Sequence, residues 1–314
     1  MVVALCILAS LVYYFSGVHA LLSNPEKLFH KFLDVTKIGA LTIYSLLLNL
    51  GVFVIISLIE IGFVGWGKSS VYRLFTKRSK SMATDLWCWT LSVFGIYRTF
   101  SLMLSFGLFY MIVSLMYKYI GEFELNTLFG NDQIRFLFVF ILSDFKIYIW
   151  HYFMHRNAFW ELHKLHHSAT EFNIITNSRV HFIESAIGMV FHAAAFLLLG
   201  VPPVYYLFMV YIKDIHANLL HSNVRHSFGW VGRYLIISPN GHHIHHSKDP
   251  RHHNKNFGDF FTWWDHLFST FYISSEPIEI GIDDEEYNKK GFWYDTMNGA
   301  KHFLIRLIPG TRKD

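Results

Sequence analysis

Charge is what this sequence has least of. Lys, Arg, Asp and Glu make up 16% of its 314 residues, where an average soluble domain carries about a quarter. With 53% hydrophobic residues and a positive mean hydropathy, the deficit points to lipid surroundings. The net charge of +4 comes without an Arg/Lys array. That argues against nucleic-acid binding and suits basic loops facing an anionic leaflet. Cysteine is scarce too. Cys6 and Cys88 both sit in apolar runs, so they read as buried thiols rather than as a disulfide or metal ligands. There is no dinucleotide-binding glycine fingerprint, no haem-attachment sequence, no internal repeat and no low-complexity tract.

What is present begins with long apolar runs. Four of them, approximately 3–22, 38–65, 86–118 and 134–154, reach the roughly 20 helical residues that span about 30 Å of hydrocarbon. The first ends in "VHA" (18–20), which resembles a cleavage site. No positive residue precedes its apolar core, so it reads as a retained helix. A fifth apolar region, 187–212, is broken by Gly200, Pro202 and Pro203. Proline removes a backbone donor and disfavours helix in the residue before it. Two helices meeting at a turn are expected, with both ends on one side of the membrane.

The loop 66–85 carries Lys68, Arg73, Lys77, Arg78 and Lys80, whereas 119–133 carries Glu122, Glu124 and Asp132. The positive-inside rule places the former in the cytoplasm, and the fourth helix returns there near residue 154. The expected fold class is an all-α integral membrane protein. It has about four transmembrane helices, a Pro-broken membrane hairpin and a cytoplasmic histidine-rich cap made from 155–182 and 214–314.

Histidine is abundant and clustered: seventeen of the twenty fall between residues 151 and 266. His151 and His155 are four residues apart, and "HKLHH" (163–167) and "HHIHH" (242–246) each hold a His-x-x-His-His. Residues three and four apart share a helical face, so three segments each present imidazoles at ligand spacing. Eight such imidazoles exceed what one ion takes and suit two. Imidazole binds Zn, Cu, Fe and Ni, so ligand type alone leaves the metal open. The Glu and Glu-x-x-His pattern of ferritin-like bundles is absent. His19, His30 and His302 are isolated. His192 lies inside the hairpin, and His226, His243 and His253 adjoin the motifs without extending their spacing.

These residues resemble the fatty acid hydroxylase/sterol desaturase superfamily of membrane di-iron oxygenases. The likeness runs from about Asp144 to Thr270 through "HYFMHR", "HKLHHS", "RVHFIE", "HSN", "SPNGHHIHHS" and "NFGDFFTWWDHLFST". It implies a division into N-terminal transmembrane helices (1–130), a catalytic region (131–275) and a C-terminal cytoplasmic tail (276–314). It also implies O2-dependent hydroxylation or desaturation of a lipid C–H bond, whether sterol, fatty acyl or ether lipid. The metal ligands it implies are His151, His155, His163, His166, His167, His242, His245 and His246, joined by His221 of "HSN". His216, off the helical face of His221, joins them if the turn is irregular. His181 matches a family histidine, but Phe182 replaces the usual proline, and Ser269 stands where glycine is usual.

The resemblance further implies two iron ions (zinc being possible in purified samples), O2 as co-substrate and electrons from a separate donor of the cytochrome b5 or ferredoxin/reductase type. Asp144, Glu184 and Asp265 are expected to orient ligand imidazoles from outside. Tyr148, Trp150, Phe153 and Trp160 are expected to line a pocket. The competing readings are a membrane metal transporter, whose ligands should line a path through the bilayer, and a bis-histidine haem electron-transfer protein.

Overall fold

The computed structural model describes residues 35–97, 99–101, 129–198 and 203–308, with side chains from residue 46 onward apart from those of 193–207. The expected helix at 3–22, most of the third apolar run and the turn at 199–202 lie outside these residues, as does Cys6. Within them the fold is helical, and pairing between extended segments is limited to two isolated bridges.

Helix α1 (Val35–Val64) is followed by α2 (Ser70–Thr76) and α3 (Lys80–Val93). Ser69 and Ser79 cap the two short helices, accepting from the Tyr72 and Met82 amides and so satisfying otherwise orphaned donors. Helix α4 (Asp132–Met154) is capped by Asn131 and ends at His155. Then come α5 (Phe159–His167), α6 (Phe182–Leu198) and α7 (Pro203–Leu220), the last two dividing the proline-broken region as its composition predicts. Short helices α8 (Gly229–Tyr234), α9 (Pro239–His245) and α10 (Trp263–Leu267) precede α11 (Phe292–Leu307).

Among the described residues two helices are long and apolar enough to cross a membrane, Leu46–Val64 and Asp132–Met154. Only 22% and 28% of these windows are buried inside the protein. A soluble core helix hides most of its apolar surface, whereas these present it outward. Glu60, near the end of α1, is fully buried and answered there: it accepts from the Ser70 amide (2.6 Å), the Ser70 hydroxyl (2.7 Å) and the Asn223 amide (2.6 Å). One carboxylate thus ties the first span to α2 and to the loop after α7.

Helix α5 sits at the centre. Ala158 and Leu162 bury against Phe303 of α11, and the buried face of α11 includes Gly299, where a Cβ would lie 2.9 Å from the Glu161 carbonyl oxygen. Over residues 276–308 the C-terminal segment is therefore not a free tail. It is clamped by Arg306–Glu161 (2.7 Å) and by Arg179, whose fully buried guanidinium donates to Asn288 Oδ1 (2.7 Å), Ser168 Oγ (2.8 Å), Leu165 O (2.8 Å) and Asp85 Oδ1 (3.0 Å).

Candidate metal centre

The C-terminal ends of α4 and α7 converge with α5 and α9, and nine of their imidazoles fall into two groups. His151, His155, His163, His167 and His245 form one; His166, His221, His242 and His246 form the other. Within each, the nearest ligand atoms all lie within 4.8 Å of one another. Each triplet is split between the groups. On a helix i+3 falls about 60° short of a full turn and i+4 about 40° past it. His163 and His167 therefore turn to one side of α5 and His166 to the other. On α9, His242 and His246 go one way and His245 the other. His167 and His246 stack at 4.1 Å between centroids where the groups meet.

Five of the nine outer nitrogens are held. His163 Nδ1–H donates to Glu184 Oε1 (2.8 Å), a carboxylate from α6. Backbone carbonyls do the same elsewhere: Phe257 for His151 (3.0 Å), Arg179 for His166 (3.2 Å), Ala217 for His221 (2.8 Å) and Lys255 for His245 (2.7 Å). These bonds fix the tautomer and aim the opposite nitrogen inward. The inward atoms of the first group, Nε2 of all five histidines, are buried and have no hydrogen-bond partner. Five orphaned acceptors converging on one point would be costly in a finished protein interior. A metal ion is what such a donor set fits.

The second group is partly self-satisfied, with His221 Nε2 at 3.2 Å from His166 Nε2 and 3.0 Å from His242 Nε2. Both nitrogens of His246 are unpartnered. Burial, reinforced by neighbouring imidazoles, holds His155, His166, His167, His242 and His246 well below the ordinary histidine range. Burial also pushes His245 down to about 3 and His221 to about 4, against the pull of their carbonyl partners. All are neutral at pH 7, the form that ligates.

Nine of the ten expected ligands thus come together, and His216 does not. Its Nδ1 lies 3.1 Å from the Asp259 carbonyl oxygen and its Nε2 3.0 Å from that of Ile237, so both nitrogens face backbone. His181 is structural as well: Nε2–H donates to Thr296 O (2.8 Å), and Nδ1 accepts from the Ile183 amide at the start of α6.

Of the three carboxylates expected behind the ligands, only Glu184 is there. Asp144 instead pairs with Lys213 (2.6 Å) and accepts from the Phe260 and Phe261 amides. Asp265 accepts from the Phe257 and Gly258 amides (2.8 Å each) and from Thr270. It shapes the loop whose Phe257 carbonyl holds His151, one step further out than expected. Of the four aromatic residues expected at a pocket, Trp160 borders the first group, 5.0 Å from His155 and 5.2 Å from His167. Tyr148 packs on Phe268, Trp150 on Phe191, and Phe153 is exposed.

With two span-length apolar helices and two polyhistidine groups among its described residues, the protein is a candidate membrane metalloprotein. Residues 136–270 match the fatty acid hydroxylase family model. The chain is 31% identical over 138 residues to an alkylglycerol monooxygenase of Caenorhabditis elegans, covering 43% of this chain and 26% of that protein. It is 29% identical over 177 residues to an ornithine lipid hydroxylase of Rhizobium tropici (55% and 49%). To a Delta(7)-sterol 5(6)-desaturase of Eremothecium gossypii it is 26% identical over 184 residues (57% and 48%). These alignments span about a quarter to a half of the relatives' length. No solved structure matches. Residues 136–270 thus match a fatty acid hydroxylase domain, and these likenesses support the fatty acid hydroxylase/sterol desaturase superfamily.

Proposed function

We propose that this protein is a membrane-bound di-iron oxidoreductase that hydroxylates or desaturates a C–H bond of a membrane lipid. The observation that carries the reading is the convergence of nine imidazoles, seven buried and two half-buried, in two groups beside the end of a span-length helix, five of them with orphaned Nε2 atoms. When bound, the irons supply activation of O2, which is what an unactivated C–H bond requires and no side chain offers. The chain supplies the rest. His151, His155, His163, His167 and His245 hold one ion, and His166, His221, His242 and His246 the other. Glu184 and the Phe257, Lys255, Arg179 and Ala217 carbonyls keep five of those rings aimed. The printed activities of the relatives, on alkylglycerols, ornithine lipids and sterols, support a lipid substrate.

The region 131–275 is read as the catalytic part, on the cytoplasmic side of a multi-pass membrane protein, with electrons delivered by a cytochrome b5 or ferredoxin/reductase-type donor. Grouping of the histidines at one end of α4 speaks against a transport path, and two polyhistidine groups exceed the paired axial ligands a haem needs.

The test is alanine at His163, His167, His242 or His246, followed by metal content and lipid products of folded protein in membranes. Loss of both is expected, whereas His302→Ala, at an exposed position outside the groups, keeps both. Full metal content with normal turnover in the triplet variants refutes the reading. So does full activity of a zinc-only, iron-free preparation. Nitrogen sites favour zinc over iron(II) by affinity, so zinc in a purified sample is itself uninformative.

A further inference from the structure

A cavity of about 670 Å³ runs from the first histidine group to the protein surface. Its inner end is lined by His155, His167 and His245, and its mouth by the consecutive acids Asp283, Asp284 and Glu285. The second histidine group does not reach it: none of His166, His221, His242 and His246 lines its wall. The geometry points to this cavity as the route by which divalent metal ions load the centre, with the 283–285 carboxylates as the site that first captures them. The inference rests on the metal-binding reading and adds to it a direction of loading and an order of filling.

Both ends of the cavity suit the same ligand. The Nε2 atoms of His167 and His245 are buried and unpartnered, so the floor offers nitrogen donors. The mouth offers hard oxygen donors, which bind hydrated divalent ions weakly and exchange them readily. The charge at the mouth stays negative after its cations are counted. Lys164 lies on the cavity wall and bridges Glu161 (3.1 Å) and Asp284 (3.4 Å). Lys289 pairs with Glu285 (3.1 Å) at an exposed position, where such a pair is screened and weak. Among the described residues Asp283 has no ion-pair partner. A cleft lined by one sign of charge raises the local concentration of the opposite ion and its association rate. Ser247, His253 and Asn254 add further polar groups to the wall.

The order follows from position. The five-histidine group fills first because it opens on the cavity, and the four-histidine group fills from it across the His167–His246 stack. The second group must also break the hydrogen bond that His242 Nε2–H donates to His221 Nε2 before it can ligate.

The full chain in nanodiscs of neutral lipid, stripped of metal by a chelator, is mixed with Co2+. The visible absorption of the imidazole complex is followed by stopped flow, and final content is measured by elemental analysis. Asp283→Asn, Asp284→Asn and Glu285→Gln are combined; these amides keep the hydrogen-bond acceptor that Asp284 offers the Glu286 amide. At low ionic strength the triple variant is expected to load about tenfold slower or more, within the range that electrostatic steering supplies. It should lose most of the salt dependence of the rate and reach the same final content. Glu276→Gln, an exposed acid away from the cavity, should load like the parent.

As a second measurement independent of charge, Asn254→Cys in a Cys6→Ser background is capped at the mouth with a bulky maleimide. The capped protein should load slowly and the uncapped one normally. An unchanged rate and salt slope in the triple variant, or slowing equally strong in Glu276→Gln, overturns the loading route while leaving the metal site standing. Fast loading of the capped protein does the same. If the folded, stripped parent takes up no Co2+ at all, the metal reading itself fails.

Discussion

Glu184 is the only carboxylate among the groups that hold the outer nitrogens of the clustered histidines, and removing it tests how far aiming matters. It lies 2.8 Å from His163 Nδ1, with both side chains buried. Glu184→Gln keeps an acceptor oxygen but loses the charge. A hydrogen bond to a charged group contributes about 1.5–3 kcal/mol and a neutral one about 0.5–1.5, so the loss is about 1–1.5 kcal/mol, or about tenfold in metal affinity. Glu184→Ala removes the acceptor and leaves a buried N–H unpaired, at a further cost of about 1 kcal/mol or more. That approaches the hundredfold end of the range seen when an outer partner of a metal-bound histidine is lost. The assay is competition for Co2+ against a chromophoric chelator, on protein whose folding is confirmed by circular dichroism. The Co2+ absorption spectrum is recorded alongside, because a merely structural role would leave it unchanged. Parent-like affinity and spectrum in folded Glu184→Ala would refute the reasoning.

His216→Gln should keep the full metal content while lowering the thermal midpoint, because both ring nitrogens of His216 face backbone carbonyls, one of them donating its N–H, and neither joins a histidine group; metal loss without destabilisation contradicts this. Arg179→Met leaves Asp85 buried beside Thr176 and Asn173 without its cation, a change that costs about 3–5 kcal/mol in comparable buried pairs. It should be read as a large fall in thermal midpoint. In metal-free protein, His221 and His245 stay neutral down to about 4 and about 3, whereas unfolded histidine titrates near 6.5. The unfolded chain therefore binds more protons as pH falls below 6.5, so stability drops. The two together contribute about 2.5 kcal/mol between pH 7 and pH 5.5, and a metal-free midpoint that rises on acidification would show the opposite sign. Cysteines placed at Lys68 and Lys248 should label from one compartment, the cytoplasmic one; labelling from opposite sides breaks the topology proposed above.

The histidine segments were legible because ligand spacing is local: i, i+3 and i+4 are properties of a few consecutive residues. Their division into two groups was not legible, since which flank of α5 faces which flank of α9 is decided by tertiary packing. The proline-broken hairpin was readable from residues that cannot continue a helix. The carbonyls of Phe257 and Lys255 carry no sequence signal, since every residue has one. Asp144 and Asp265 look like Glu184 in sequence, and only the placement of Lys213 and of the Phe257–Gly258 amides shows that they serve loops instead. The packing of 276–308 was hidden by its mixed composition. Its buried face, from Phe292 through Asp295, Thr296, Gly299 and Ala300 to Phe303, is partly polar and small.

Arg179 also sets a timetable. Its guanidinium reaches across 94 residues to Asp85 and across 109 to Asn288, while its carbonyl holds His166. Every clustered histidine has been synthesised by residue 246, yet the clamp that fixes α5 closes only when residue 288 and the helix after it arrive. Contacts this distant in sequence form late, so closing the clamp is a late step of folding. Described residues 276–308 add no imidazole to either group, yet Asn288 and α11 complete the clamp on α5.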